Sequence, residues 1–209
     1  MATNLTAAQA ALLARCGLQT QDQGAQSTEL TYALNEGLNA YASEQDWWWL
    51  EDVDSFTTTA GTNAYAMPSD YKNTKNVFIG TTLLHPRQFQ DMVRLEGQTA
   101  ATPAYYTVHD ETLYLSPAPS DSSTTVYHVY VRRESTLSTG TDTPLIPDRY
   151  VPLWLSFAAV YLADRLGNPK MRAQHERSRD EWLRRAQDEA RAQRGLAQVY
   201  SRQDVVWNA

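Results

Sequence analysis

The sequence predicts an α+β fold: a helical bundle built from both chain ends, with a small antiparallel β-sheet or barrel inserted between them. Two observations carry this expectation. Apolar residues recur at helical spacing in the first 50 residues and again after Val151. The stretch 53–134 is instead β-branched, aromatic and punctuated by turn residues. The order helix–helix, sheet, helix–helix, without an internal repeat, suggests one interrupted bundle and not two domains in tandem. The expected organisation is N-terminal bundle helices over 1–52, a β insertion over 53–145, C-terminal bundle helices over 146–195 and a docking tail over 196–209.

Leu5, Leu12, Leu13 and Cys16 lie on a short Ala-rich helix that Gly17 can end in the left-handed conformation. After a polar link over 19–26, Ser27 or Thr28 offers an N-cap, and Glu29 in the first turn complements the helix dipole. Leu30, Leu34, Leu38, Tyr41, Gln45 and Trp48 make one apolar stripe, with Glu29, Glu36 and Glu44 on a different face. Gly37 sits near the apolar side, where a missing side chain lets another helix approach. Trp47, Trp48 and Trp49, at the helix end, point about 100° apart, so one bundle face cannot bury all three. Some of them are expected at the helix–sheet junction or against another subunit.

In the middle zone, residues 56–59 are strand chemistry, 60–63 read as a turn, and 65–67 and 76–80 read as further strands. Residues 105–108, a turn at 109–111 and residues 112–116 form a hairpin pattern. Residues 124–131 read as a strand with both faces occupied. The stretch 81–99 reads as a loop with a helical turn around 87–92.

Pro144 and Pro147 close the linker, and Asp148 caps a helix whose first turn accommodates Pro152. Between 151 and 166 the only charges are Asp164 and Arg165, the mark of a helix surrounded by partners. Gly167 ends it, and Asn168-Pro169 opens a long polar helix to about Arg194. Opposite charges at i,i+4 lace that helix, among them Arg177–Glu181, Asp180–Arg184, Glu181–Arg185, Arg184–Asp188 and Arg185–Glu189. Each such pair contributes about 0.2–0.5 kcal/mol. Its apolar content is little more than Met171, Trp182, Leu183 and Ala186, with Trp182 the expected anchor on its own bundle. Gly195 is expected to break the helix. The tail beyond carries Tyr200, Val205, Val206 and Trp207, which either fold back on their own subunit or dock on another chain by strand addition or a pocket.

Charge is unevenly placed. Residues 1–164 hold 8 basic and 18 acidic side chains, and residues 165–209 hold 10 basic and 6 acidic. Arg outnumbers Lys by 15 to 3, which suits planar pairing at interfaces. The basic end could bind nucleic acid, pair with a neighbouring copy, or simply be a solvated helix face. Acids interleave with its arginines, whereas a phosphate-binding helix wants one uncompensated face, so subunit pairing is favoured over DNA binding. Cys16 is the only cysteine, so neither an intrachain disulfide nor a thiolate metal cage is available. The N-terminus lacks the pattern of a signal peptide, and no apolar run approaches a bilayer span, so a soluble protein without membrane contact is expected.

Catalytic signatures are missing. His85, His109, His128 and His175 are scattered and read as surface or half-buried residues; no metal-ligand spacing, phosphate loop or nucleophile elbow occurs. Glu51, Asp52 and Asp54 cluster, but a solvated loop explains them more cheaply than a cation site. No catalytic residue, cofactor or metal is assigned, and an enzyme is not expected.

The chain resembles the head–tail adaptor (connector or gatekeeper) proteins of tailed bacteriophages, of the podovirus or siphovirus type. The residues that carry the resemblance are the helix ending in Trp47-Trp48-Trp49-Leu50, the run from Thr57 to Tyr71 with Met67-Pro68-Ser69-Asp70, and Leu113-Tyr114-Leu115-Ser116-Pro117 of the hairpin. The strand 126–131 follows, and then Ile146-Pro147-Asp148-Arg149-Tyr150, opening the apolar helix. The resemblance covers about residues 27–80 and 103–190. It implies a virion protein of the neck, made in the host cytoplasm, that assembles with itself into a dodecameric ring under the portal. It further implies a distal face for tail or tail-tip proteins and a channel through which DNA passes without sequence-specific binding. On that reading Glu29, Glu36 and Glu44 line the channel, and Arg177, Arg184 and Arg185 pack beside an acidic neighbour in the ring. Tyr200, Val205, Val206 and Trp207 would dock on the portal. A tail-tube or tail-completion component is the second reading, with a free DNA-binding protein or small hydrolase further off.

Overall fold

The computed structural model describes residues 3–19, 27–94 and 99–206. The chain separates into two compact units: a helical unit, Met1–Trp49 with Glu134–Ala209, and a β unit, Leu50–Arg133. Helices stand at both chain ends and antiparallel sheets between them, so the fold is α+β. Residues 134–145, expected within the β insertion, group with the helices.

In the helical unit, α1 (Leu5–Arg15) is capped by Asn4, whose Oδ1 accepts the Ala7 N–H at 2.9 Å. It ends at Gly17 with φ of +67°, where the Leu18 N–H reaches back to the Leu13 carbonyl. Helix α2 (Ser27–Glu44) buries Leu30, Ala33, Leu34, Gly37, Leu38, Tyr41 and Ala42. The helix stops before Gln45 and Trp48, so the expected apolar stripe ends at Tyr41. Its end is fixed by Trp47, whose buried indole N–H turns back to the Tyr41 carbonyl at 2.9 Å. Between Glu134 and Val151 the chain returns through a turn at Asp148–Tyr150.

Helix α4 (Val151–Arg165), so numbered because a short α3 lies in the β unit, buries ten of its fifteen residues. It packs against α1, α2 and α5 (Pro169–Val206). The α2–α4 crossing is tight. A Cβ on Gly37 would lie 2.8 Å from the Ala158 backbone nitrogen and 2.9 Å from its Cβ. Close by, the buried Trp154 indole N–H donates to the Leu34 carbonyl at 2.8 Å. On α5, Ala186, Ala190 and His175 are buried, and the Ser156 and Ser178 hydroxyls meet across the α4–α5 seam at 3.4 Å. Trp182, the expected anchor, is only half-buried and lies under the Arg185 guanidinium at 5.1 Å. Helix α5 continues through Gly195 to Val206, correcting the expected break. One glycine costs a helix about 1 kcal/mol, which a run of good helix formers absorbs.

The returning segment is held by polar groups. Asn35 clasps Leu137 on both sides, its Nδ2 donating to the Leu137 carbonyl and its Oδ1 accepting the Leu137 N–H, each at 2.9 Å. The Asp142 carboxylate accepts the Thr139 hydroxyl at 2.5 Å and the Thr139 and Ser138 N–H groups at 2.8 and 2.7 Å, which together hold its carboxyl well below the usual range. The α1 start is tied to the same loop by Leu5 N–H to the Asp142 carbonyl at 2.8 Å. Glu134 accepts hydrogen bonds from the buried Tyr41 hydroxyl and from the Leu145 N–H at 2.9 Å. Burial nonetheless dominates and pushes its carboxyl up to about 7.

The β unit consists of β1 (Glu51–Thr57), β2 (Ala64–Ala66), β3 (Tyr71–Ile79), β4 (Thr82–Leu83), β5 (His85–Pro86), α3 (Phe89–Arg94), β6 (Tyr105–His109), β7 (Thr112–Ser116) and β8 (Thr125–Arg132). These form two four-stranded sheets, ordered β1-β8-β3-β4 and β2-β7-β6-β5. All pairings are antiparallel except the short β5–β6 pair. Val77, Ile79 and Val126 of the first sheet and Tyr106, Leu113 and Leu115 of the second share one core. The β6–β7 hairpin turns through Asp110 and Glu111 at φ of +48° and +52°, the left-handed pair that a two-residue hairpin loop requires.

Two outcomes follow from the helical unit. Gly37→Ala is expected to lower stability by about 1–3 kcal/mol through overpacking on Ala158. Alanine inside a helix ordinarily stabilises by about 1 kcal/mol, so the sign of the Tm change in a thermal melt decides. Glu134 holds a proton in the fold up to about pH 7, whereas its unfolded carboxyl loses it near 4.5. Its contribution is therefore full below about 4.5, falls between 4.5 and 7, and falls no further above that. The drop in Tm between pH 5 and pH 8 should be larger in the wild type than in Glu134→Gln; parallel profiles would mean that Glu134 is ionised throughout.

Candidate subunit-contact surface

Spacings of seven and eight residues place Glu29, Glu36 and Glu44 along the length of α2. Glu36 and Glu44 border a groove of about 380 Å³ whose floor is Phe157, Val160 and Tyr161 of α4. Asp164, Arg172 and Arg179 complete its walls. Apolar floor and charged rim together are the composition of a contact surface more than of a catalytic pocket.

The charges of this region are largely paired, and the exceptions are informative. Glu29 is engaged by Arg165 at 2.8 Å, beside a Tyr32–Tyr161 ring pair with centroids 5.6 Å apart. Arg172 bridges Asp164 at 2.5 Å and Glu176 at 2.9 Å. Arg179 makes two hydrogen bonds to Asp180, at 2.9 and 2.8 Å. Arg185 pairs with Glu181, Arg191 with Asp188 at 3.4 Å, and Arg149 with Glu189 at 2.8 Å. Among the described residues this leaves Glu36 and Glu44 on α2, and Lys170, Arg177 and Arg184 on α5, without a hydrogen-bond or ion-pair partner. Of the five i,i+4 pairs expected on α5, only Glu181–Arg185 forms. Asp180, Asp188 and Glu189 are taken by Arg179, Arg191 and Arg149 instead.

The other sequence-predicted residues lie elsewhere. Trp47 and Trp49 stack at 4.6 Å, and Trp49 stacks on Tyr150 at 4.7 Å, an aromatic column between the end of α2 and the start of α4. Trp48 meets Trp49 edge-on and is 38% exposed, with the Arg149 guanidinium 5.7 Å from its ring centroid. The tryptophans thus sit on a short turn after α2 and not on its last helical turn. Tyr200, Val205 and Val206 are placed on the α5 backbone, which is helical there and not extended; Trp207 lies outside the described residues.

In the β unit, Leu83, Phe78, Tyr127 and Ser55 stand opposite one another across four strands, with Val53 opposite Val129 in the next row. Leu83, Tyr127 and Val53 are 45, 42 and 58% exposed, a second solvent-facing apolar feature. The acidic trio falls on strand β1, where successive residues face opposite ways. Asp52 meets Arg132 at 3.0 Å and Glu51 meets Lys75 at 3.8 Å. His128 and His175 are buried, deeper than expected, and burial pushes both imidazoles down. Among the described residues no three His, Cys, Asp or Glu side chains converge as a metal site, and no helix is long and apolar enough to cross a membrane.

Sequence reasoning found the acidic row and the Arg-rich helix but missed the groove. Its signal was present in the surplus: once each α5 carboxylate takes one arginine, cations remain over.

Residues 3–205 match the family of the SU10 adaptor protein. The match spans nearly the whole chain, and the chain belongs to that family, a phage head–tail adaptor family. No curated protein matches it.

Proposed function

We propose that this family member is a structural ring subunit that joins capsid to tail. Identical copies, twelve by the resemblance, close a ring beneath the portal, tail proteins bind the distal face, and DNA passes through the middle. The observation that carries this reading is the disproportion of α5. At 1.5 Å per residue its 38 residues run to about 57 Å, whereas the 15 residues of α4, on which it packs, run to about 22 Å. A polar helix that long is far more than one bundle needs and suits contact with further chains. The exposed apolar rows around Tyr127 on the β unit support a second contact surface.

The chain end, with Tyr200, Val205 and Val206 on α5 and Trp207 after it in the sequence, is the proposed portal-docking element. The helical backbone of α5 up to Val206 favours insertion into a groove over strand addition. The tail-completion reading places the chain with the tail instead of the head.

Protein content of purified portal-containing heads that lack tails separates the two. The full chain is expected on such heads, and a chain truncated after Arg194 is expected to be folded but missing from them. Recovery of the full chain only with free tails would overturn the adaptor placement, and retention of the truncated chain would remove the docking role of its end.

A further inference from the structure

Among the described residues, two unpartnered arginines of α5 and two unpartnered glutamates of α2 are complementary in sign and spacing. The described carboxylates of α5 are spent on its own arginines and on Arg149; apart from Lys170 at the helix start, Arg177 and Arg184 remain, exposed and separated by seven residues, about 10.5 Å along the axis. Helix α2 has spent Glu29 on Arg165, leaving Glu36 and Glu44 separated by eight residues, about 12 Å. Long, flexible Arg and Glu side chains absorb that difference. Within one chain the two pairs do not meet.

We propose, resting on the ring reading above, that Arg177 and Arg184 of one copy seat on Glu36 and Glu44 of the next copy, with the Phe157–Val160–Tyr161 floor beneath them. Donor and acceptor patches differ and sit on the same chain, so the contact is head-to-tail, the kind that closes into a ring when its rotation divides a full turn. The apolar floor excludes water beside the ion pairs, which strengthens them and makes register specific. Arg172 and Arg179 in the groove walls do not oppose this, because each is already bound to carboxylates.

This assigns Glu36 and Glu44 to the subunit contact and not to the channel wall. A wall that repels DNA needs continuous, uncompensated acid. Here Glu29 is neutralised, and the other two border an apolar groove with arginines on its walls.

Charge-swap assembly tests it on the full chain. Glu36→Lys with Glu44→Lys gives an acceptor-reversed chain, and Arg177→Glu with Arg184→Glu gives a donor-reversed chain. Because none of the four side chains has an internal partner, both variants should melt like the wild type. Each alone should lose ring formation by on the order of tenfold or more in the concentration required. An equimolar mixture of the two, and a single chain carrying all four changes, should each recover rings, which mere loss of a solvating charge would not achieve. Rings from either reversed variant at wild-type concentrations, loss without recovery, or acceptor-reversed rings that form normally but retain DNA would each overturn the assignment. A wild-type chain that forms no ring, alone or with portal, would instead remove the ring reading on which it rests.

Discussion

The close crossing of α2 over α4 is the constraint on which the helical unit rests. It joins the two ends of the chain, because α2 precedes the β unit and α4 follows it. Gly37 brings the α2 backbone onto Ala158, and Trp154 reaches past its own helix to the Leu34 carbonyl. Once α4 is walled by α1, α2 and α5, nearly every side chain it carries must be apolar, and it is. Polar and charged groups are thereby displaced to the outer faces of α2 and α5, where they are available to other molecules.

The segment from Glu134 to Tyr150 depends on the same crossing. It carries the chain from the last strand back to the bundle, and polar groups hold it: the half-buried Asn35–Leu137 clasp and Tyr41–Glu134 bond, and the Asp142 loop at the surface. Satisfied networks of this kind fix one geometry where an apolar contact would tolerate sliding. The aromatic column of Trp47, Trp49 and Tyr150 adds a second fixed point at the start of α4. For a subunit that repeats identically around a ring, as proposed above, such specificity matters more than the modest net energy of each hydrogen bond.

How much of this was legible in the sequence depended on how local the signal was. The termini of α1 and α4 were readable because Gly17 and Gly167 supply left-handed residues, and the start of α5 because Asn168 caps the Met171 N–H. The central place of α4 was readable from its nearly charge-free run, and the β6–β7 hairpin from its strand chemistry. Glu134 and Asn35 were not readable, since their partners lie 93 and 102 residues away. The tryptophan run misled because helical phase was extended past Glu44, where Trp47 folds back over the last turn. At Gly195 a weak local preference was given more weight than the good helix formers on both sides of it. The groove escaped because ion-pair partners on α5 are chosen by three-dimensional geometry, and i,i+4 counting assigned Arg177 and Arg184 to carboxylates that other arginines hold.

The proposed role is that of one repeated subunit of a channel between head and tail. The most direct measurement is electron cryomicroscopy of the full chain assembled on its portal. That role predicts a single closed ring of identical copies, each touching the next through unlike surfaces, around an opening wide enough for duplex DNA. An open filament, a two-fold dimer with like surfaces in contact, or a plug without a channel would contradict it.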